Sequence, residues 1–275
     1  MPDQSPVSRR SALLNVWLLS WRFTARDWRA GELNLLLAAL VVAAAAIAAV
    51  GFFVDRMSQA LALEARQLLG ADLVIASDRE PDPRWSQRAR GFGLAVAQTV
   101  NFPSMVTGPA GRPQLASVKA VSENYPLRGR LRVAPGAGQP DAPASQPLER
   151  GRLWADPALL QALEASPGAP LELGESTFGL DRVITLEPDR GANFVNFAPR
   201  AMIRVEDLAA TGLVQPASRV TWRLLFAGDP DAVKAFEAAI RGELPRHARL
   251  ESLENDRPEL RVTLERAQRF LALVA

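Results

Sequence analysis

Leu35 to Val54 reads LLLAALVVAAAAIAAVGFFV, twenty residues without one charged or polar side chain. At about 1.5 Å per residue such a run spans roughly 30 Å as a helix, the thickness of a bilayer's hydrocarbon core. The stretch therefore predicts one membrane-crossing helix near the N-terminus. Eight of its residues are alanine, and pairs such as Ala39 with Ala43 or Ala45 with Ala49 put small residues on one face, which lets helices approach closely in lipid. A cleaved signal peptide is the competing reading, and Ala46-Ile47-Ala48 has the small residues of a cleavage site. Against it, the charged leader is more than thirty residues long, and a signal sequence carries only about 7 to 15 apolar residues.

Charge around the span sets the expected orientation. Of the chain's 32 basic and 30 acidic residues, five arginines (Arg9, Arg10, Arg22, Arg26, Arg29) and three acids (Asp3, Asp27, Glu32) precede Asp55, leaving 27 of each from there on. The pI of about 9.6 thus reflects an N-terminal flank and not a basic face for nucleic acid. Arginines beside a span mark its cytoplasmic side, so the N-terminus is expected in the cytoplasm and the main domain outside. Ser11 to Trp28 carries Leu13, Leu14, Trp17, Leu18 and Trp21 at helical spacing ahead of Arg22 and Arg26, which predicts a helix lying in the membrane interface or, alternatively, a simple soluble one.

Beyond the span, Met57, Leu61 and Leu68 keep a helical pattern that Gly70 ends, so the membrane helix is expected to continue as a stalk over Asp55 to Leu69. Strands are expected at Leu73–Ser77, at Leu94–Val106 paired with Gln114–Ser122, and at Leu171–Leu186 folded at Gly174-Glu175. Further strands are read at Ala201–Val205, the latter before a turn of helix at Glu206 to Leu208, and at Val220–Phe226. Helices are expected at Asp82–Arg90, after the Asp156-Pro157 cap, and at Asp229–Arg241 behind Asp229 and Pro230. Ala134 to Pro147, APGAGQPDAPASQP, reads as a surface loop or hinge. From Pro258 another helical segment runs through Leu260, Leu264 and Ala267 into FLALVA, which is either an apolar soluble helix end or the start of a second, truncated membrane helix. The fold class is α+β.

Catalytic chemistry is thinly supplied. There are no cysteines and one histidine, His247, which excludes thiol chemistry, Cys-based zinc and multi-histidine metal sites. A P-loop requires lysine directly after glycine to hold phosphate, and the two lysines, Lys119 and Lys234, follow valines. Gly91-Phe92-Gly93 lacks the third glycine of a dinucleotide fingerprint. The carboxylate pairs Asp78 with Glu80 and Asp181 with Glu187 are read as solvated faces. No catalytic, cofactor-binding or metal-binding residue is assigned.

Several stretches together resemble a known family: ARDWRAGELNLLLAALVVAA from Ala25, LLGADLVIASDR from Leu68, FPSMV from Phe102, LASVKAVSENYPLRG from Leu115, EPDRG from Glu187, NFAPRAMIRVEDLAATGLVQPASRV from Asn196 and RPELRVTLERAQRF from Arg257. The chain is identified by them as similar to the FtsX/MacB-like ABC transporter permeases, and within these to the YbbP-type permeases of bacterial inner membranes. The resemblance implies a cytoplasmic segment over 1–33, a transmembrane helix over 34–54, a MacB-like periplasmic α+β domain over 55–262, and a truncated second transmembrane helix over 263–275. It also implies two periplasmic subdomains, a membrane-proximal one of 56–124 plus 218–262 and an inserted one of 125–217.

The mechanism implied is transmission of motion. A separate cytoplasmic ABC ATPase hydrolyses ATP, the membrane helices and their stalks move, and the periplasmic domain acts on hydrophobic or lipid-linked compounds or on a periplasmic partner protein. The resemblance further implies a bilayer environment and a dimeric permease or one with internal pseudo-symmetry. Two other readings of the residues stay open: an anchored extracytoplasmic sensor domain of a signalling protein, and an anchored envelope enzyme.

Overall fold

The computed structural model describes residues 32–190, 198–215 and 218–252. The helices expected at Ser11–Trp28 and from Pro258, and the start of a second span at 263–275, lie outside the described residues. The chain divides into two compact units near residue 60.

The first unit holds most of helix α1, Glu32–Leu69. Asn34–Met57 within it is long and apolar enough to cross a membrane, and Leu35, Leu36, Leu40, Val42, Phe52 and Phe53 all lie exposed. Side chains of this kind need an apolar solvent or partner. The helix continues past the span to Leu69, and Gly70 terminates it with φ +69°, a conformation that glycine adopts without steric cost.

The second unit is built on one eleven-stranded sheet. Its elements are β1 (Leu73–Ser77), α2 (Pro83–Gly91), β2 (Ala95–Thr107), β3 (Pro113–Val121), β4 (Arg132–Ala134), β5 (Ala142–Pro143), β6 (Arg152–Ala155), α3 (Pro157–Leu163), β7 (Pro170–Leu173), β8 (Ser176–Leu186), β9 (Arg200–Arg204), β10 (Thr221–Ala227), α4 (Pro230–Ile240) and β11 (Ala248–Ser252). The class is α+β with an N-terminal apolar helix. Each of the three helices after α1 opens the same way: Asp82, Asp156 and Asp229 accept backbone N–H groups of the first turn, and proline follows as the first helical residue. The aspartates satisfy donors that a helix start otherwise leaves unpaired, and proline has no such donor.

Sheet order is β11-β1-β10-β2-β3-β9-β6-β8-β4-β5, with β7 bridging β2 and β8. Strands drawn from residues 73–121 and 221–252 stand together, strands from residues 132–204 stand together, and the two groups meet at the parallel β3–β9 pair, where Ser117 lies against Arg200 and Lys119 against Met202. The length of β2 lets it pair with β10 and β3 and, at Val106 and Thr107, also with β7. Following neighbours from β2 through β3, β9, β6, β8 and β7 returns to β2, so these six strands close a small barrel.

Alternation along the strands sorts the core. Phe102, Val118, Leu153, Leu171, Phe178 and Ile203 form one cluster with Leu159, Leu160 and Leu163 of α3. Leu73, Ile75, Leu224 and Phe226 pack under α2 and α4 against Trp85, Val233, Phe236 and Ile240. Full burial of such a side chain contributes about 1.5–3 kcal/mol. The opposite face carries a third apolar cluster with Val74, Val121, Tyr125, Trp154, Met202 and Leu225. Charged residues share that face.

Four strands depart from the sequence reading. β4 and β6 are only three and four residues long, too short to show alternation. β11, ARLES, is a polar edge strand paired with β1 alone among the described residues, and edge strands do not need an apolar face on each side. The loop read at Ala134–Pro147 begins within β4 and includes β5.

Candidate functional site

In β3, LASVKAV, Ala116, Val118 and Ala120 enter the barrel core, so the two-residue period of a strand sends Ser117, Lys119 and Val121 to the other face. Lys119 is there 1% exposed. An ammonium group at such a position is costly unless paired and hydrogen-bonded, and Lys119 Nζ donates to Glu187 Oε1 at 2.7 Å, Asp189 Oδ1 at 2.6 Å and the Tyr125 hydroxyl at 2.8 Å. The Tyr125 hydroxyl donates in turn to Asp189 Oδ1. Glu187 Oε2 accepts from Arg200 Nε at 2.9 Å, and Arg200 Nη1 donates to Ser117 Oγ at 2.6 Å. Strand β3, the segment after β8, and β9 are thereby joined across the seam between the two groups of strands.

Burial and neighbouring charges act on these groups in opposite senses. Desolvation works to raise the Asp189 pKa, but the charges of Lys119 and Arg223, with hydrogen bonds from Lys119 and Tyr125, outweigh it and hold the carboxyl below its usual value. The Tyr125 phenol is pushed well above its ordinary value, first by burial and then by the charges of Asp189 and Glu187.

The network continues along the sheet. Asp189 Oδ2 lies 3.8 Å from Arg223 Nη1 on β10, Arg223 Nη2 donates to Glu251 Oε2 on β11 at 2.8 Å, and Arg249 Nε donates to Glu251 Oε1 at 2.7 Å.

The residues that leave α1 are tied into the same region. The Gly70 carbonyl accepts from the backbone N–H of Leu127 at 3.1 Å and of Arg128 at 2.9 Å. A Cβ on Gly70 would stand 3.4 Å from Asp189 Cβ. Arg128 forks onto both oxygens of Asp72, and Asp72 Oδ2 also accepts from Gly228 N at 3.1 Å. The hydrogen bond to Asp72 raises the Arg128 pKa further. The turn after α1, the loop after β3, the segment after β8 and the turn before α4 are thus fastened together.

Glu187 corrects the sequence reading. It is not a solvated carboxylate beside Asp181 but a buried one between Lys119 and Arg200, whereas Asp181 accepts from Trp154 Nε1 at 2.8 Å. Asp78, Glu80, Lys234 and His247 are exposed. Gly91-Phe92-Gly93 closes α2, and Phe92 packs edge-on against Phe236. No group of acidic or histidine side chains suited to a metal occurs among the described residues. Beside the network an open cleft of about 320 Å³ has Tyr125, Leu131, Leu148, Trp154 and Met202 among its lining residues, next to Arg130 and Glu123. The chemistry of the network's buried part is positional: Lys119, Glu187, Asp189 and Arg200 pair with one another. The signal for it in the sequence was Lys119 itself, a lone cation inside an apolar strand.

No protein-family model matches the chain. It is 34% identical over 254 residues to the uncharacterized ABC transporter permease YbbP of Escherichia coli (strain K12), a match that covers 92% of this chain and 30% of that protein. The chain therefore spans under a third of the curated relative's length. Among solved structures it is similar to the periplasmic region of MacB from Actinobacillus actinomycetemcomitans, with a TM-score of 0.43, 12% identity and coverage of 74% of this chain and 97% of that one. It is also similar to the extracellular domain of YknZ, a noncanonic ABC-type transporter from Gram-positive bacteria, with a TM-score of 0.43, 9% identity and coverage of 66% and 100%. The resemblance to YbbP-type permeases extends over nearly the whole chain.

Proposed function

We propose that the chain is the N-terminal portion of an ABC transporter permease of the FtsX/MacB type. The observation that carries this reading is 34% identity to a permease along 92% of the chain, beginning with an apolar helix of membrane-spanning length. In this reading residues 1–33 are cytoplasmic, 34–54 cross the inner membrane, 55–262 are periplasmic and 263–275 enter a second span. The arginines ahead of the span support that orientation. The membrane-proximal subdomain is 56–124 with 218–262, and the inserted one is 125–217.

A separate cytoplasmic ABC ATPase supplies the energy. Motion of α1 reaches the sheet through Gly70, Asp72 and Arg128, and the outer domain changes shape to export or extract a hydrophobic or lipid-linked compound or to act on a periplasmic partner. The permease works as a dimer or with internal pseudo-symmetry.

Co-purification tests the proposal. The full-length gene product is extracted in mild detergent and examined for a bound ABC-type ATPase that hydrolyses ATP. Such a partner is the expected result. A product that purifies alone, with signalling proteins encoded beside it, overturns the transporter reading in favour of an anchored sensor.

A further inference from the structure

Two polar atoms in the network are buried without a hydrogen-bond partner among the described residues, Asp189 Oδ2 and Arg223 Nε. They belong to the two side chains whose closest charged atoms stand 3.8 Å apart, near enough for Coulomb attraction and too far for a hydrogen bond. Arg223 is drawn instead to Glu251 at 2.8 Å. Buried polar atoms are normally satisfied, and orphans on two oppositely charged side chains this close call for an explanation.

We propose that Arg223 is an exchange residue with two stations: Glu251 on edge strand β11, which it occupies here, and Asp189, beside Gly70 at the end of α1. Moving the guanidinium by about 1 Å brings it within hydrogen-bond distance of Asp189 Oδ2. The exchange transfers no proton and leaves no carboxylate without a cation. When Arg223 leaves, Glu251 keeps Arg249 at 2.7 Å; when Arg223 stays, Asp189 keeps Lys119 at 2.6 Å. Each station therefore has a standing partner, and the two differ mainly in which segment Arg223 fastens.

The segments differ in how they are held. β11 pairs with β1 alone among the described residues, so the tie to Arg223 on β10 is a cross-sheet restraint on an edge strand. Asp189 packs on Gly70, and its neighbours are buried. Loosening of β11 would hand Arg223 to Asp189 and tighten the segment after β8, coupling the C-terminal edge of the sheet to the place where α1 enters it. The exchange stands on these distances and does not depend on transport.

Hydrogen–deuterium exchange of the full chain in mild detergent tests it, comparing the native protein with Glu251→Gln. The glutamine keeps the shape and removes the charge that holds Arg223. The expected result is faster exchange over 248–252 together with exchange at the Asp189 and Arg190 amides slowed about five-fold, the factor that one added hydrogen bond of typical net strength corresponds to. Unchanged or faster exchange at those two amides overturns the proposal, because a purely structural ion pair or a bridging water leaves that segment no tighter. Arg223→Gln is the second variant, and it must abolish the slowing when combined with Glu251→Gln. Slowing that survives in the double variant overturns the proposal as well.

Discussion

Replacing Lys119 with methionine keeps most of the stem and removes the cation from the centre of the network. The two ion pairs it makes, at 2.7 and 2.6 Å, each represent a gross attraction of about 6 kcal/mol at an effective dielectric of about 20. Desolvating the partners costs several kcal/mol per ion, so the intact cluster contributes far less than the gross sum. Its breakage is a different matter. Without Lys119, Glu187 retains Arg200, but among the described residues Asp189 keeps the Tyr125 hydroxyl at hydrogen-bond distance and Arg223 at 3.8 Å. Removing one partner of a buried pair costs about 3–5 kcal/mol, a large part of a typical domain stability of about 5–15 kcal/mol. Urea unfolding in mild detergent, followed by the emission of Trp85, Trp154 and Trp222, measures the loss. In the same assay Asp189→Asn should cost less in the Lys119→Met background than alone, by at least about 1 kcal/mol, because coupled charges are not additive. A loss below about 1 kcal/mol for Lys119→Met, or strict additivity of the pair, would refute the reasoning.

Tyr125 is the chain's one tyrosine, so tyrosinate absorbance reports a single site. Its raised pKa means that the folded state holds the proton more tightly than the unfolded state; the stability this brings is present below pH 10.0 and is lost as pH rises through the folded value. An alkaline titration should show no tyrosinate at pH 10.0 while the domain is folded, and its appearance should coincide with unfolding. Asp189 has the opposite sign: its lowered pKa gives stability above the ordinary value of 3.8 that disappears as pH falls below it, and Asp189→Asn should flatten that part of an acid unfolding curve. Gly174 has φ +61°, and a Cβ there would stand 2.1 Å from the Thr211 carbonyl oxygen; Gly174→Ala should lower stability by at least about 2 kcal/mol in the urea assay, since both backbone strain and displacement of main chain are required. Asp229→Ala removes the acceptor for Asp231 N and Ala232 N at the start of α4 and should cost about 1 kcal/mol.

The elements legible in the sequence are those whose physics is local. Twenty apolar residues, Gly70 after Leu69, and the Asp-Pro openings of α2, α3 and α4 each state their structure within a few positions. The barrel closure is not local. It depends on β2 being thirteen residues long, enough for its end to pass β3 and meet β7, and on the parallel pairing of β3 with β9 some eighty residues later. Nor is the network visible from spacing: Lys119 and Tyr125, Glu187 and Asp189, and Arg200 come from three stretches far apart in the chain, and a carboxylate such as Glu187 reads as solvated until a buried cation is known to face it. Ser117, Lys119, Tyr125, Glu187, Asp189 and Arg200 do fall inside stretches that carry the resemblance to the permeases, LASVKAVSENYPLRG, EPDRG and NFAPR.

Stability alone does not account for such a network. Apolar residues of similar volume often replace buried ion pairs with no loss, or with a gain, and the rest of the same face is filled in that apolar way by Val74, Val121, Met202 and Leu225. What charges add is a demand on geometry. Lys119 must meet two carboxylates and a phenol at once, and Arg200 must meet Glu187 while donating to Ser117. A shift of one residue at the β3–β9 seam would reverse the faces of the moved strand and leave charges buried without partners, whereas an apolar seam would tolerate more slippage. The network therefore fixes how the two groups of strands meet and, through Asp189 against Gly70, holds the residue that ends α1.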